Sequence, residues 1–296
     1  MNAISEEEVI QLWLDHCYAD STRRAYEAEW KRFQHWCQRH QLSCSLKKIT
    51  PVAISSFLQT RNLGDSAKRR VIIIFRSLYS FAAKCGHSGI SPAHLLRCPR
   101  PNVTIHERIL SKENLMQMLQ SATTKRDRMI VSFFVNSGAR VNEVAKVKVG
   151  DLTYRNDGST VVKLNGKGGK IRRVVLNLTF SKNLQSFVEG LSLNAPLFSG
   201  RHRGPLTPSG LRRVIKVLVH RANLNRRISP HFLRHYFANT ALNNGARIHH
   251  VAHALGHSSL HSTTVYTHGT LLTVEAPSSF LEKPNKTVEE RSLVPM

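Results

Sequence analysis

The chain has 296 residues, of which 41% are hydrophobic and 21% charged, and its formal net charge is +24. This composition excludes a disordered chain, and the charge excess indicates a polyanionic partner, most often nucleic acid, over a merely basic surface. The five cysteines are scattered without a Cys-x-x-Cys pair, which favours a reducing compartment over a disulfide framework. No apolar run approaches the roughly 18 residues of a membrane span, and no signal-peptide core is present. We therefore expect a cytoplasmic protein.

The first hundred residues carry helical patterns and no strand pattern. Thr50-Pro51 is typical of a helix start, with an N-cap followed by proline at the first helical position. The apolar and aromatic residues of this region recur at helical spacing and are expected to form a core. Two prolines within residues 98–101 indicate a linker. The sequence predicts an all-helical domain at residues 1–103.

One helix of this domain begins with three consecutive cations, Lys68, Arg69 and Arg70. Cations near a helix N-terminus are well placed to follow a phosphate backbone. The alternative is a solvated helix face without a ligand. We predict that the triplet contacts DNA.

The second half opens with an arginine directly after a glycine turn. Arg140 follows Ser137-Gly138 and is expected at a helix N-terminus, where backbone N–H groups also favour an anion. Glu143, three residues later, lies on the same helical face and could orient the guanidinium. Taken alone, such an arginine is more often a surface ion-pair residue.

Three short segments with alternating hydrophobicity follow and predict a small antiparallel sheet. They span about 149–153, 159–164 and 171–176. The last two are joined by a glycine-rich hairpin tip that could present Lys167 to a groove, where an ammonium can protonate a leaving oxygen. Lys170 and Arg172 of the same hairpin are expected to contact DNA. The alternative is an exposed hairpin with ordinary lysines, and the spacing excludes a phosphate-binding P-loop.

Residues 229–268 hold a set of side chains suited to chemistry on a phosphodiester. An arginine such as Arg234 can grip two phosphate oxygens, and His231 or His257 can move a proton near neutral pH. The hydroxyl of Tyr266 can attack phosphorus and form a covalent intermediate. Residues 152–274 contain seventeen Lys/Arg but only two acidic residues, too few carboxylates for a two-metal mechanism.

A histidine also recurs every four residues from His249 to His261, which is the spacing of a zinc-binding pair on a helix. No neighbouring carboxylate or cysteine completes a metal site. We expect no metal here.

Taken together, these motifs resemble the tyrosine recombinases, the phage integrase family that includes the Xer proteins. Four boxes carry the resemblance, in the family's order and spacing, and Tyr266 stands nine residues after His257. The boxes are Ser137–Glu143, Gly166–Gly168, His231–His235 and Leu255–Leu260.

The resemblance implies a clamp around the scissile phosphate. Arg140 and Arg234 would hold its non-bridging oxygens, and His257 would donate a further hydrogen bond. Glu143 and His235 would not contact the phosphate but would support the residues that do.

The resemblance also implies the covalent chemistry. Tyr266 would attack phosphorus and leave a 3′-phosphotyrosyl link, Lys167 would protonate the departing 5′-oxygen, and His231 would accept a proton near the tyrosine. The covalent link conserves the phosphodiester energy, so neither cofactor nor metal is required. The family acts on specific core sites in double-stranded DNA as a tetramer on two sites, through a Holliday junction.

The implied fold is mainly α with a small antiparallel β-sheet, arranged as a two-domain clamp. The helical core-binding domain would span residues 1–103, the mixed α/β catalytic domain 104–273, and a tail at 274–296 could contact a neighbouring protomer. The net charge favours an enzyme of a mobile element over a housekeeping recombinase. Two alternatives stay open: a catalytically silent DNA-binding protein on this fold, and an enzyme resembling type IB topoisomerases.

Overall fold

The computed structural model of the chain describes residues 4–17, 19–87, 89–100, 110–200 and 204–256. The chain divides into two compact units, Met1–Val103 and Thr104–Met296, and each has its own hydrophobic core. The described residues are mostly helical, with one three-stranded antiparallel sheet, which confirms the predicted fold class. Among these ranges, no helix has the length and apolarity needed to cross a membrane.

The described part of the first unit is helical and packs around an aromatic core. Phe33 lies 4.9 Å from Phe75 and 5.2 Å from Phe57, measured between ring centroids, and both pairs meet edge to face. Such contacts add specificity to apolar burial, so the aromatic residues of this region contribute to a core, as predicted. The helices are α1 (Glu6–Asp15), α2 (Asp20–Arg39), α3 (Pro51–Gln59) and α4 (Asp65–Lys84), followed by a 3₁₀ turn at Pro92–His94.

The second unit begins with helices that lead into the sheet. The helices are α5 (Lys112–Gln120), α6 (Lys125–Ser137) and α7 (Val141–Val144). The strands are β1 (Leu152–Tyr154), β2 (Thr160–Asn165) and β3 (Ile171–Leu176). β2 is central, and Val162 pairs with Leu152 on one side and Val174 on the other. Because successive strand residues face opposite sides, these three side chains lie on the buried face.

Four further helices complete the described part of the second unit. They are α8 (Leu178–Val188), α9 (Pro208–Arg221), α10 (Pro230–Asn243) and α11 (Ile248–Leu255). α11 packs on α10 through a small apolar cluster that includes Ala238, Val251 and Leu255. This cluster is separate from the main core, and Ala254 of α11 packs against that main core.

The turn after α6 is tightly packed and requires glycine. Gly138 has φ +59°, in the left-handed region, and an added Cβ would lie 2.5 Å from Cδ1 of Phe237. No other residue fits this conformation and space without displacement. The close approach brings the turn before Arg140 against α10.

Candidate active site

Arg234 connects three of the sequence motifs. It lies on α10, is 3% exposed, and donates from Nη1 to the carbonyl oxygen of Gly138 and from Nη2 to that of Leu255, both at 2.7 Å. The last carbonyls of a helix lack partners within the helix and carry its negative dipole end. A guanidinium is therefore a fitting cap for α11, and Arg234 lies where the glycine turn, α10 and α11 meet.

Arg140 also bonds to the backbone at the C-terminal end of α11. It is the N-cap residue of α7, its side chain is 43% exposed, and Nη2 donates to the carbonyl oxygen of Gly256 at 3.4 Å. Glu143 accepts from the backbone N–H of Arg140 at 2.6 Å and from its Nη1 at 3.2 Å. The carboxylate therefore holds both the backbone and the guanidinium of Arg140.

Glu143 is a buried carboxylate between two guanidinium groups. Its side chain is 2% exposed. Burial raises the pKa of Glu143, but the hydrogen bonds from Arg172 and the Arg140 N–H, with the charges of both arginines, outweigh it and hold the pKa below its usual range. Glu143 is therefore ionised at neutral pH.

Arg172, which the sequence led us to expect at the DNA, is 9% exposed, and its guanidinium bonds to other residues of the protein. Its Nη1 and Nη2 donate to the two carboxylate oxygens of Glu143 at 2.6 and 2.8 Å, and its Nε donates to the carbonyl oxygen of Ala254 at 2.7 Å. Alternate residues of β3 are buried, so Arg172 shares the inner face with Val174 and Leu176. That alternation is visible in the sequence and could have identified Arg172 as inward-facing.

These contacts gather three arginines from distant parts of the chain. Arg140, Arg172 and Arg234 bond to three consecutive carbonyls at residues 254–256. The next residue in the chain is His257, the histidine of the last motif. The structure thus brings the first arginine box, the hairpin strand and the His-x-x-Arg box to the point where the chain enters that motif.

The two histidines of α10 differ in exposure. His231 is exposed, whereas His235 is buried, and their ring centroids lie 4.2 Å apart with an interplanar angle of 72°. The i, i+4 spacing places both on one face of the helix. His231 is therefore open to solvent, whereas the ring of His235 is enclosed.

The hairpin tip joins β2 to β3 as the sequence predicted. The backbone N–H of Gly166 donates to the carbonyl oxygen of Lys170 at 2.7 Å, and Lys170 is exposed. The side chain of Lys167 lies outside the described part of the structure, as do His257 and Tyr266. The predicted roles of these three residues stay predictions.

In the first unit, the cationic triplet occupies the first turns of α4. Arg70 is exposed and Lys68 is half-buried. Arg69 is also half-buried, and its Nη1 donates to the carbonyl oxygen of Pro99 at 2.9 Å. Arg69 therefore bonds to the segment that follows the 3₁₀ turn, and the side chain of Arg70 is exposed to solvent.

Comparisons with known proteins agree with this organisation. Residues 108–271 match the model of the phage integrase family, and residues 9–86 match that of the phage integrase N-terminal SAM-like domain. The tyrosine recombinase XerD of Staphylococcus haemolyticus is 30% identical over 283 residues, covering 90% of this chain and 94% of the relative.

Solved structures share the fold. A XerH site-specific recombinase in a post-cleavage complex with a palindromic difH substrate matches with a TM-score of 0.70 and 24% identity, over 88% of this chain and 80% of that chain. A lambda integrase from a tetramer bound to a Holliday junction matches with a TM-score of 0.64 and 20% identity, over 84% and 77% of the two chains.

A SAM-like N-terminal domain followed by an integrase domain places the chain in the phage integrase class of proteins. This chain belongs to the phage integrase family. Its relatives by sequence are named tyrosine recombinases of the XerD and XerC kinds, and the chain is a tyrosine recombinase, an enzyme of site-specific DNA recombination.

Proposed function

We propose that the chain cleaves and rejoins a specific core site in double-stranded DNA through Tyr266. The phenolic oxygen bonds to phosphorus while the bond from phosphorus to the 5′-oxygen breaks, which leaves a 3′-phosphotyrosyl link and a 5′-hydroxyl. A 5′-hydroxyl from a second duplex reverses the step and joins the exchanged strands. The observation that carries this proposal is the meeting of Arg140 and Arg234 at the end of α11, directly before His257.

The two arginines have different parts in the proposed clamp. Arg140 is half exposed and can meet a phosphate that approaches from solvent, whereas Arg234 is fixed in the interior by backbone carbonyls. Guanidinium groups that are already held in position stabilise the charge that develops on the non-bridging oxygens, because they need little reorganisation during the reaction. The ionised Glu143 keeps Arg140 oriented. Because Arg172 bonds to the same carboxylate, the single negative charge of Glu143 does not neutralise both arginines.

Two further groups would move the protons. We assign Lys167, at the hairpin tip, to protonate the leaving 5′-oxygen, since an ammonium on a glycine-rich turn can enter a groove. His231, exposed on the first turn of α10, would accept the tyrosine proton. The phosphotyrosyl bond keeps the energy of the broken phosphodiester, so strand joining needs no nucleotide cofactor.

We propose that the working assembly is a homotetramer on two DNA sites. Support comes from the lambda integrase tetramer bound to a Holliday junction, which shares the fold. We further propose that the protein acts in the cytoplasm, with the nucleoid, because its substrate is DNA. The core-binding role of residues 1–103, the catalytic role of 104–273 and contact of the tail 274–296 with a neighbouring protomer belong to the same proposal. The mobile-element origin rests on net charge and stays a prediction.

The test is a covalent trapping experiment. Duplexes that bind the chain are selected from a randomised library, and a nick is placed beside the scissile position so that cleavage releases a short fragment and blocks rejoining. We expect a protein–DNA adduct that survives denaturant, is absent in Tyr266→Phe, and is accompanied by recombinant product when two unnicked sites are supplied.

The two alternatives give different results in the same experiment. A topoisomerase-like enzyme would form the adduct and relax supercoiled DNA but yield no recombinant product. A silent DNA-binding protein would select and bind a duplex without an adduct. Binding without an adduct on every selected duplex contradicts the proposal.

A further inference from the structure

We infer that Arg172 is a positioning residue for the cleavage step, acting on Arg140 through Glu143 and on the end of α11 through the carbonyl of Ala254. The inference rests on the proposed function. Arg172 belongs to none of the four sequence motifs, and its position on the hairpin predicts a DNA contact. Its buried location now indicates that it acts through other residues of the protein.

Each nitrogen of the Arg172 guanidinium makes an inward hydrogen bond. The two terminal nitrogens face both oxygens of Glu143, and Nε faces the carbonyl oxygen of Ala254 at 2.7 Å. This bidentate geometry is specific to arginine, because an ammonium cannot make two parallel bonds and a third bond at a fixed angle. Arg172 therefore holds the carboxylate and the helix end at a defined separation.

The same side chain packs against the backbone at the end of α11. Gly256 has φ +64°, and an added Cβ would lie 3.1 Å from Cδ of Arg172. The backbone of residue 256 thus lies against the aliphatic part of the arginine, while the carbonyl two residues earlier accepts its Nε hydrogen. Arg172 therefore contributes to fixing the end of α11.

Loss of Arg172 would redistribute charge at Glu143. The buried carboxylate would keep Arg140 as its only guanidinium partner among the described residues. Arg140 would then be drawn more strongly towards the carboxylate and away from a phosphate. We expect the cleavage rate to fall by about 10²-fold, comparable to loss of one oxyanion donor in other enzymes, with DNA affinity unchanged because Arg172 is buried.

The test compares two substrates in single-turnover cleavage: the selected nicked duplex, and the same duplex with a methylphosphonate at the scissile position. The methyl group removes one charged oxygen, so orientation of the arginine clamp contributes less to the rate. We expect Arg172→Met to slow cleavage of the phosphate by about 10²-fold and of the methylphosphonate by a much smaller factor. Wild-type protein is measured on both substrates.

Arg126→Met is the matched control. Arg126 is also a partly buried arginine of the second unit, paired with Asp127 and bonded to the carbonyl oxygen of Ser199 at 3.1 Å. It lies outside the arginine cluster. Its loss should lower stability without changing the ratio of the two cleavage rates.

Arg172→Lys and Glu143→Gln are measured as well, so that misfolding of Arg172→Met would not decide the result. Both change the same network with smaller packing changes, and both should lower the phosphate rate selectively. Equal slowing on the two substrates, as for a general loss of structure, or a defect confined to DNA affinity would overturn the inference. Absence of any Tyr266-dependent adduct in the wild-type protein would instead contradict the proposed function.

Discussion

A hydrogen bond of 2.7 Å joins Nη2 of Arg234 to the carbonyl oxygen of Leu255. The arginine proposed to hold the scissile phosphate is therefore also the cap of the helix that leads to His257. A second bond, to the carbonyl oxygen of Gly138, ties the same guanidinium to the turn before Arg140. The proposed substrate contact and the local structure of the site thus involve one side chain.

Arg234→Ala should lower both stability and cleavage. Two buried carbonyls would lose their guanidinium donor, and each such loss costs about 1–3 kcal/mol. Removal of one phosphate ligand should slow cleavage by about 10²–10³-fold. Urea denaturation and adduct formation measure the two effects. Arg126→Ala should lower stability alone, and normal adduct formation by Arg234→Ala would show that Arg234 is only structural.

The stability that the protein loses in Glu143→Gln should depend on pH. The pKa of Glu143 lies below its usual range in the folded state, and a glutamate in the unfolded chain titrates near about 4.3. The folded-state pKa is the lower one, so this contribution is present above the unfolded pKa and is lost as pH falls through the folded pKa.

Denaturation of wild type and Glu143→Gln from neutral to acid pH tests this expectation. The difference in unfolding free energy should be constant near neutral pH and shrink below about pH 4. Glu7→Gln, an exposed substitution in α1, is the control and should change stability little at any pH. A difference between wild type and Glu143→Gln that grows on acidification would contradict the ion-pair network.

Gly256→Ala should impair cleavage more than stability. Both Gly256 and Gly190 have left-handed backbones, with φ +64° and +75°, and alanine should cost about 1 kcal/mol at either position. Nothing lies within 4 Å of an added Cβ at Gly190, whereas at Gly256 the Arg172 side chain must move. Thermal denaturation should show similar losses, and adduct formation should fall only in Gly256→Ala. Equal adduct rates in the two variants would contradict the positioning role.

Within the cationic triplet of α4, Arg69 and Arg70 should have different functions. Arg70→Ala should weaken DNA binding and reduce the slope of log affinity against log salt by about one phosphate contact, with little loss of stability. Arg69→Ala should lower stability, because Arg69 holds the carbonyl oxygen of Pro99. Titrations at several salt concentrations and denaturation measure both. An unchanged salt slope in Arg70→Ala would remove Arg70 from the DNA surface.

Local patterns in the sequence predicted most of the described fold. The proline start of α3, the aromatic stripe of α2 and the glycine hairpin between β2 and β3 all appear where expected. So does the contact of Arg140 with Glu143, three residues apart. These features depend on interactions between near neighbours in the chain, which the order of residues determines directly.

Only the tertiary structure decided which distant residues meet. The bond from Arg172 to Ala254 spans 82 residues, that from Arg234 to Gly138 spans 96, and that from Arg140 to Gly256 spans 116. No periodic pattern encodes such pairs, because they arise from the packing of α10, α11 and β3 against one another. The sequence by itself supplied the arginines and the order of the motifs. Packing placed Arg172 inside, where it bonds to the same carboxylate that holds Arg140.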